Sequence, residues 1–543
     1  MLVLAILLGI AQLSWQFNPR QLLFTDASES SSTSPFDKSF DSLVEDTLAE
    51  WQTPGLAVAV VHGDDTWAKG YGYVSLNGSR VTPHTLFNTG STTKSFIASL
   101  VSILVDSNTT YKDITWNTPF SSLIRDDFVL PDAWATEHTT LADALSHRTG
   151  MPRHDFSWLN AGPNVTVKDI TRSMRYLPLH HEPRVEWEYC NIMFSAVSYA
   201  LETVMGESTG DLLRDWLWSP MGMNQTFYDW SDAQACVRKD KDCELATPYI
   251  WNNYTQHYVP EAITTFPPAT GAGGTISNVL DYTRWLRRLI NGTAPLSPEG
   301  YRAITSPHSV MFAELPPYTG PVWYGYGLIM GIYRGFKVTQ HSGSIGGYMS
   351  NMLVIPDKNW GVVTMQNTDS PAQNILWLKL MDDTLEVPKE ERFDLDTLMR
   401  EQRAGSAAAR EARRHALYPD LPSIPIPPVL PLTRYEGTYS HPAYHNITIS
   451  LNAPSHGAVV TPDGNSGLPL YGTSATADLD TIVKLTHASG EHWIVDVYMG
   501  AWTRDYSDIM SRAQFEVAAS GVAEKFGMQI EPEIEEYLWF VRV

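Results

Sequence analysis

The apolar residues of this chain follow one rhythm over its first two thirds and another at its end. From residue 36 to about 395, strand-like and helix-like stretches alternate. Leu56 to His62 is an unbroken apolar run, Gly63-Asp64 is a turn, and Thr66 to Tyr73 returns, which predicts a hairpin. Residues 95–107 (SFIASLVSILVDS) are apolar nearly all round and predict a buried helix. Residues 278–292 are amphipathic and end in Asn-Gly, a natural helix stop. Three strand-like runs follow: FKVTQH (336–341), SNMLVIP (350–356) and WGVVTMQN (360–367). Gly343, Gly346 and Gly347 punctuate the first connection and Pro356-Asp357 the second, so an antiparallel meander is expected.

The rhythm then changes. Residues 396 to about 417 are charged and helix-prone, and LPSIPIPPVLPL (421–432) holds five prolines, which exclude helix or central strand and suggest a stiff linker. From Tyr435 onward short strands and turns dominate: YEGTYS, NITISL, GAVVTP, IVKLTH and HWIVDVY. No repeat of solenoid period is present. The expected organisation is an α/β (α+β) domain over 36–395, a helical and Pro-rich connector over 396–430, and a β-rich domain over 431–543.

Composition narrows the possibilities. A chain of 543 residues is too long for one ordinary core. Its 43% hydrophobic and 18% charged residues are globular values. The net charge of −22 opposes a phosphate-binding surface, so nucleic acid is not an expected partner. The opening MLVLAILLGIAQL is too short for a stable membrane span and suits the apolar region of a secretory signal peptide, although a basic start is missing; residues 1–20 are assigned to it. Asn-x-Ser/Thr sequons at Asn77, Asn108, Asn164, Asn224, Asn253, Asn291 and Asn446 agree with secretion and glycosylation. Cys236 and Cys243 bracket a short polar loop that a disulfide could close in an oxidising compartment, while nothing nearby completes a zinc site. Cys190 reads as a buried small residue.

The chemistry begins at NTGSTTKSF, residues 88–96. Ser91 and Lys94 lie three apart, hence on one helix face, at the positive end of the helix dipole. A buried lysine loses its proton readily and its amine can take one from a hydroxyl. An N-capping serine beside a surface lysine would look the same in isolation. The apolar flanks, Leu86, Phe87, Phe96 and Ile97, argue against a surface lysine. Tyr189 and Asn191 precede another apolar helix. The phenol near Lys94 would have its anion stabilised and could act as general base, and the asparagine could bond a substrate amide or hold the lysine. A second Tyr-x-Asn, Tyr444 and Asn446, falls in the β-rich domain and is set aside because its asparagine is a sequon. His341, Ser342 and Gly343 close a meander strand; His341 would face the pocket, Gly343 would permit close approach, and the Ser344 amide could pair with that of Ser91 as an oxyanion hole.

These three motifs, in this order and spacing, resemble the serine β-lactamase-like and penicillin-binding-protein superfamily, in its branch of class C β-lactamases, D-aminopeptidases and esterases. PGLAVAVV, LFNTGSTTKSF, ALSHRTGMP, GAGGTISN and YGYGL match the same branch, and the YEGTY tail is similar to a lipocalin-like barrel. The resemblance implies an antiparallel sheet flanked by helices, a helical subdomain and a terminal β-barrel-like domain. It implies Ser91 as nucleophile, Lys94 and Tyr189 as proton relay, Asn191, His341, Gly343 and Ser344 on the substrate, and neither metal nor cofactor. Penicillin-recognising members generally have Lys at the position of His341. A mostly neutral imidazole anchors a carboxylate less well, which favours a small-molecule ester or amide over a β-lactam. Trp323, Tyr324 and Tyr326 would line an acyl pocket or belong to the core. An acyltransferase, or a non-catalytic protein keeping the fold, are the alternatives.

Overall fold

The first strand, β1 (Gly55–His62), is buried on both sides, which is why its sequence is apolar without alternation. Leu56, Val58 and Val60 pack with the helix α1 (Lys38–Glu50) through Phe40, Val44 and Leu48. Ala57, Ala59 and Val61 point the other way, into a core that includes Tyr282, Trp285 and Leu286. A computed structural model describes residues 34–107, 111–253, 255–263, 269–452, 469–474, 481–499 and 509–543.

The expected hairpin forms, β1 pairing with β2 (Asp65–Gly72) around Gly63, whose φ is +55°. The buried helix is α2 (Thr93–Asp106), and the helices α3 (Asn191–Met205) and α4 (Val279–Asn291) follow. Gly292 ends α4 in the left-handed conformation. Strands β3 (Ser309–Phe312), β4 (Val322–Tyr324), β5 (Ile329–Tyr333), β6 (Phe336–Ile345), β7 (Tyr348–Ile355) and β8 (Trp360–Gln366) complete one antiparallel sheet in the order β2-β1-β8-β7-β6-β5-β4-β3. β6 runs on through Gly343 to Ile345, longer than the hydrophobic pattern indicates; the turn is made by Gly346 and Gly347, both at positive φ. α4 packs on one face of the sheet and α5 (Ala372–Thr384) on the other. Short helices between residues 111 and 240 form the helical subdomain.

The helix α6 (Leu395–Leu417) leads out of this domain, held at one end by Arg400 to Glu50 and at the other by Arg414 to Asp496. The Pro-rich stretch has no regular structure, yet it is tied to the second domain. Ile426 N–H bonds Ser489 and Val429 N–H bonds Glu491. Eight strands, β9 (Gly437–His441), β10 (His445–Ser450), β11 (Leu470–Thr473), β12 (Thr481–Ser489), β13 (His492–Met499), β14 (Ile509–Val517), β15 (Ala523–Met528) and β16 (Leu538–Arg542), close a barrel in sequence order. Closure comes from β9 pairing with β16. The expected strand GAVVTP, the signal peptide and Asn108 lie outside the described residues. No helix among the described residues is long and apolar enough to cross a membrane.

Cys236 and Cys243 are bonded, with Cα atoms 5.9 Å apart. Cys236 belongs to the last turns of the helix Trp230–Lys239, so only part of the intervening segment is loop. Cys190 is buried and unpaired with sulfur. Asn77, Asn164, Asn224, Asn253, Asn291 and Asn446 are all solvent-exposed.

Candidate active site

Ser91 lies in the one-turn 3-10 helix Gly90–Thr92 that feeds α2. Two glycines let this turn sit against β6. A Cβ on Gly343 would overlap the Thr89 carbonyl and come within 2.8 Å of the Ser91 nitrogen. A Cβ on Gly90, at φ +53°, would come within 2.8 Å of the Ser344 nitrogen. The close approach that Gly343 permits is therefore between two parts of this chain. It brings the Ser91 and Ser344 amides to neighbouring positions, and Ser344 is exposed on its strand.

Lys94 follows one turn later and is fully buried. Its Nζ lies 3.1 Å from Ser91 Oγ, 2.7 Å from Asn191 Oδ1 and 2.9 Å from the Ala272 carbonyl. Burial, reinforced by the nearby Arg153 charge, holds this amine well below the ordinary lysine range. The Asn191 Oδ1 and Ala272 carbonyl oxygens can only accept, so an unprotonated amine would give its two N–H bonds to them. In that form its lone pair would be left for the Ser91 hydroxyl.

Tyr189 completes the group. Lys94 Nζ and the Arg153 guanidinium each lie 4.8 Å from its ring centre, and its hydroxyl is near enough to Ser91 for the two to interact. The sequence reading expected a stabilised phenolate. Instead burial pushes the phenol up to about 12, against the pull of Arg153 and the Ser91 bond. Tyr189 is thus protonated at neutral pH, while burial shifts Lys94 towards its unprotonated form.

One further expectation needs correction, that for His341. Of the two roles open to Asn191, bonding a substrate amide or holding the lysine, the contacts fit the second. Its oxygen accepts from Lys94 and its nitrogen donates to Asp155 Oδ1 at 2.8 Å, so it holds the lysine. His341 does not face an open pocket but is 2% exposed. Its Nδ1–H donates to the Ser342 carbonyl at 2.6 Å, and its Nε2 accepts from the Tyr324 hydroxyl at 3.0 Å. Burial and then Lys94 lower it to about 3, leaving it neutral. Tyr324 and Tyr326 are core residues, Tyr326 stacking between Trp116 and His308.

The sequence reading assigned no role to three residues that frame this site. His147 Nδ1 accepts from the Cys190 N–H, and its ring packs 4.4 Å from that of Tyr189. Arg153 pairs with Asp155 at 2.6 Å while covering Tyr189. Asp155 in turn fixes Asn191. The signal for them was present in His147 within ALSHRTGMP and in the charged Arg153-His154-Asp155 run directly after it, but their contacts to Tyr189, Cys190 and Asn191 span long sequence separations. Among the described residues, His180, His181 and Glu188 come nearest to a metal-binding grouping, their ligand atoms within 4.8 Å of one another. His180 and Glu188 already satisfy each other at 2.6 Å.

Comparison with known proteins matches this geometry to a family. A family model for β-lactamase matches residues 40–385, and a domain of unknown function (DUF3471) matches 421–542. An unguisins hydrolase of Aspergillus campestris is 40% identical over 422 residues, covering 76% of this chain and 78% of that protein. Another from Aspergillus violaceofuscus is 35% identical over 540 residues, covering 94% and 91%. The octameric penicillin-binding protein homologue from Pyrococcus abyssi shares the fold, with a TM-score of 0.57 at 21% identity, covering 92% of this chain and 99% of that one. The chain therefore belongs to the β-lactamase family and is a serine hydrolase acting on amide or ester bonds.

Proposed function

We propose that Ser91 is the nucleophile of this hydrolase, Lys94 its base and Tyr189 its proton donor. The carrying observation is the environment of Lys94, whose buried Nζ contacts Asn191 Oδ1, the Ala272 carbonyl and Ser91 Oγ at once and whose proton affinity is lowered by that burial. The Ser91 proton passes to Lys94 as Oγ bonds the substrate carbonyl carbon, and the carbonyl electron pair moves onto oxygen. The amides of Ser91 and Ser344 are placed to receive that oxyanion. Collapse breaks the carbon–nitrogen or carbon–oxygen bond, and the leaving group takes a proton from Tyr189, which Lys94 replenishes. Water then repeats the sequence on the acyl-Ser91 and frees the acid.

A neutral, internally bonded His341 supports a substrate without a carboxylate at that position. Two relatives are named for hydrolysing unguisins, so these compounds head the assay panel, followed by p-nitrophenyl esters, D-amino acid amides and nitrocefin. Turnover of an amide or ester, abolished in Ser91→Ala, is the expected result; equal turnover by that variant would contradict the assignment.

We also propose that the protein is secreted and glycosylated. The apolar first residues, the six exposed sequon asparagines and the Cys236–Cys243 pairing support this. Enzymatic removal of N-glycans from protein recovered from culture medium should lower its mass.

A further inference from the structure

We propose that Tyr444 and Glu531 of the barrel are positioning residues for the hydrolase site, acting on His154 so that its neighbours Arg153 and Asp155 are fixed against Tyr189 and Asn191. This inference rests on the roles assigned above to Ser91, Lys94 and Tyr189.

His154 adopts φ 44° and ψ 30°, a left-handed conformation that costs a side-chain-bearing residue energy unless its surroundings enforce it. Here the surroundings come largely from the other domain. The turn between β9 and β10 pushes Tyr444 into the catalytic domain, where it is fully buried. His441 shapes that turn by accepting from the N–H groups of Ala443 and Tyr444 at 3.1 Å. The Tyr444 hydroxyl lies 2.5 Å from His154 Nδ1 and 3.2 Å from Glu531 Oε1. Glu531 Oε2 accepts from the His154 N–H at 3.0 Å, and Asn160 Nδ2 donates to the Tyr444 carbonyl at 2.6 Å.

With His154 neutral, as its burial favours, the protons around this ring can be placed. His154 Nε2 faces the Pro178 carbonyl at 2.9 Å and must carry the hydrogen. In a neutral imidazole Nδ1 is then an acceptor, and the Tyr444 hydroxyl donates to it. The Tyr444 oxygen can only accept from Glu531, so Glu531 is the neutral acid. Burial agrees, lowering His154 to about 4 and, with Asp155 nearby, raising Glu531 to about 8. The groups facing Glu531 are Arg153, His154, Asp155, Cys190, Tyr444 and Glu533.

The consequence reaches the reaction centre in two short steps. Arg153 covers the Tyr189 ring, and Asp155 holds the asparagine that holds Lys94. Release of His154 from its left-handed conformation would swing both neighbours. Displacements of this size cost catalysis about 10- to 100-fold without removing any reacting group.

The test compares Glu531→Ala, Glu531→Gln and Tyr444→Phe in the full chain, reading kcat, KM, the pH profile and fluorophosphonate labelling of Ser91. An amide reproduces the neutral acid, donating to Tyr444 and accepting from His154. Glu531→Gln should therefore keep wild-type kcat at pH 7 and remove the decline expected of the wild type as Glu531 ionises above about pH 8. Glu531→Ala and Tyr444→Phe should lower kcat about 10-fold or more, with KM changed far less. Full kcat in Glu531→Ala, or equal losses in the Ala and Gln variants, would overturn this inference while Ser91 labelling stands. Absence of labelling in the wild type would overturn the catalytic assignment and this inference with it.

Discussion

Gly343 and Ser91 are packed so closely that the side-chain carbon missing from the first would lie 2.8 Å from the backbone nitrogen of the second. The contact sets the serine turn against β6 and places two amides side by side. Gly343→Ala inserts one methyl group there, overlapping the Thr89 carbonyl. We expect destabilisation of about 1–3 kcal/mol and a larger loss in acylation rate. Thermal melting read beside stopped-flow acylation checks this; an unchanged acylation rate would show that the amide placement tolerates the shift.

Lys94 predicts the pH dependence of both activity and stability. The unprotonated amine is the active form, so kcat/KM should rise with pH through the depressed Lys94 titration. It should not fall again on account of Tyr189, which titrates only at about 12. For stability the sign is the same. Between the folded and unfolded values the unfolded chain binds the extra proton, so stability increases with pH across that window, up to the ordinary lysine value of about 10.4. Lys94→Met should be inactive and should show a flatter dependence of melting temperature on pH. An unchanged slope would mean that Lys94 is charged in the fold.

Tyr189→Phe removes a hydroxyl and leaves the ring packed against His147 and under Arg153. Turnover should drop about 10²- to 10⁴-fold, with melting nearly unchanged. Near-normal steady-state turnover would remove Tyr189 from the proton path.

Much of this site was readable from the chain because its chemistry is local. Ser91 and Lys94 share one helix face, and the apolar flanks that make α2 buried also bury the lysine. The meander strands were visible from their apolar runs, but the end of β6 was not. Gly343 reads as punctuation in a sequence, whereas in the fold it is a strand residue stripped of a side chain to admit Thr89 and Ser91. The role of Asn191 depends on Asp155, 36 residues away, and no periodicity records that contact. Tyr444 reads as irrelevant to the site because it stands in the second domain and its Asn446 is a sequon; its turn nevertheless reaches the first, through contacts nearly 300 residues apart in the chain. Barrel closure was equally hidden, since it rests on β9 meeting β16 across the whole domain.

The most direct measurement is intact-protein and peptide mass spectrometry after rapid quenching with a slow ester substrate. The account predicts one acyl group per chain, carried on Ser91, accumulating in the wild type and absent from Ser91→Ala. An acyl group on another residue, or turnover with no acylated chain under conditions that trap the intermediate, would contradict it.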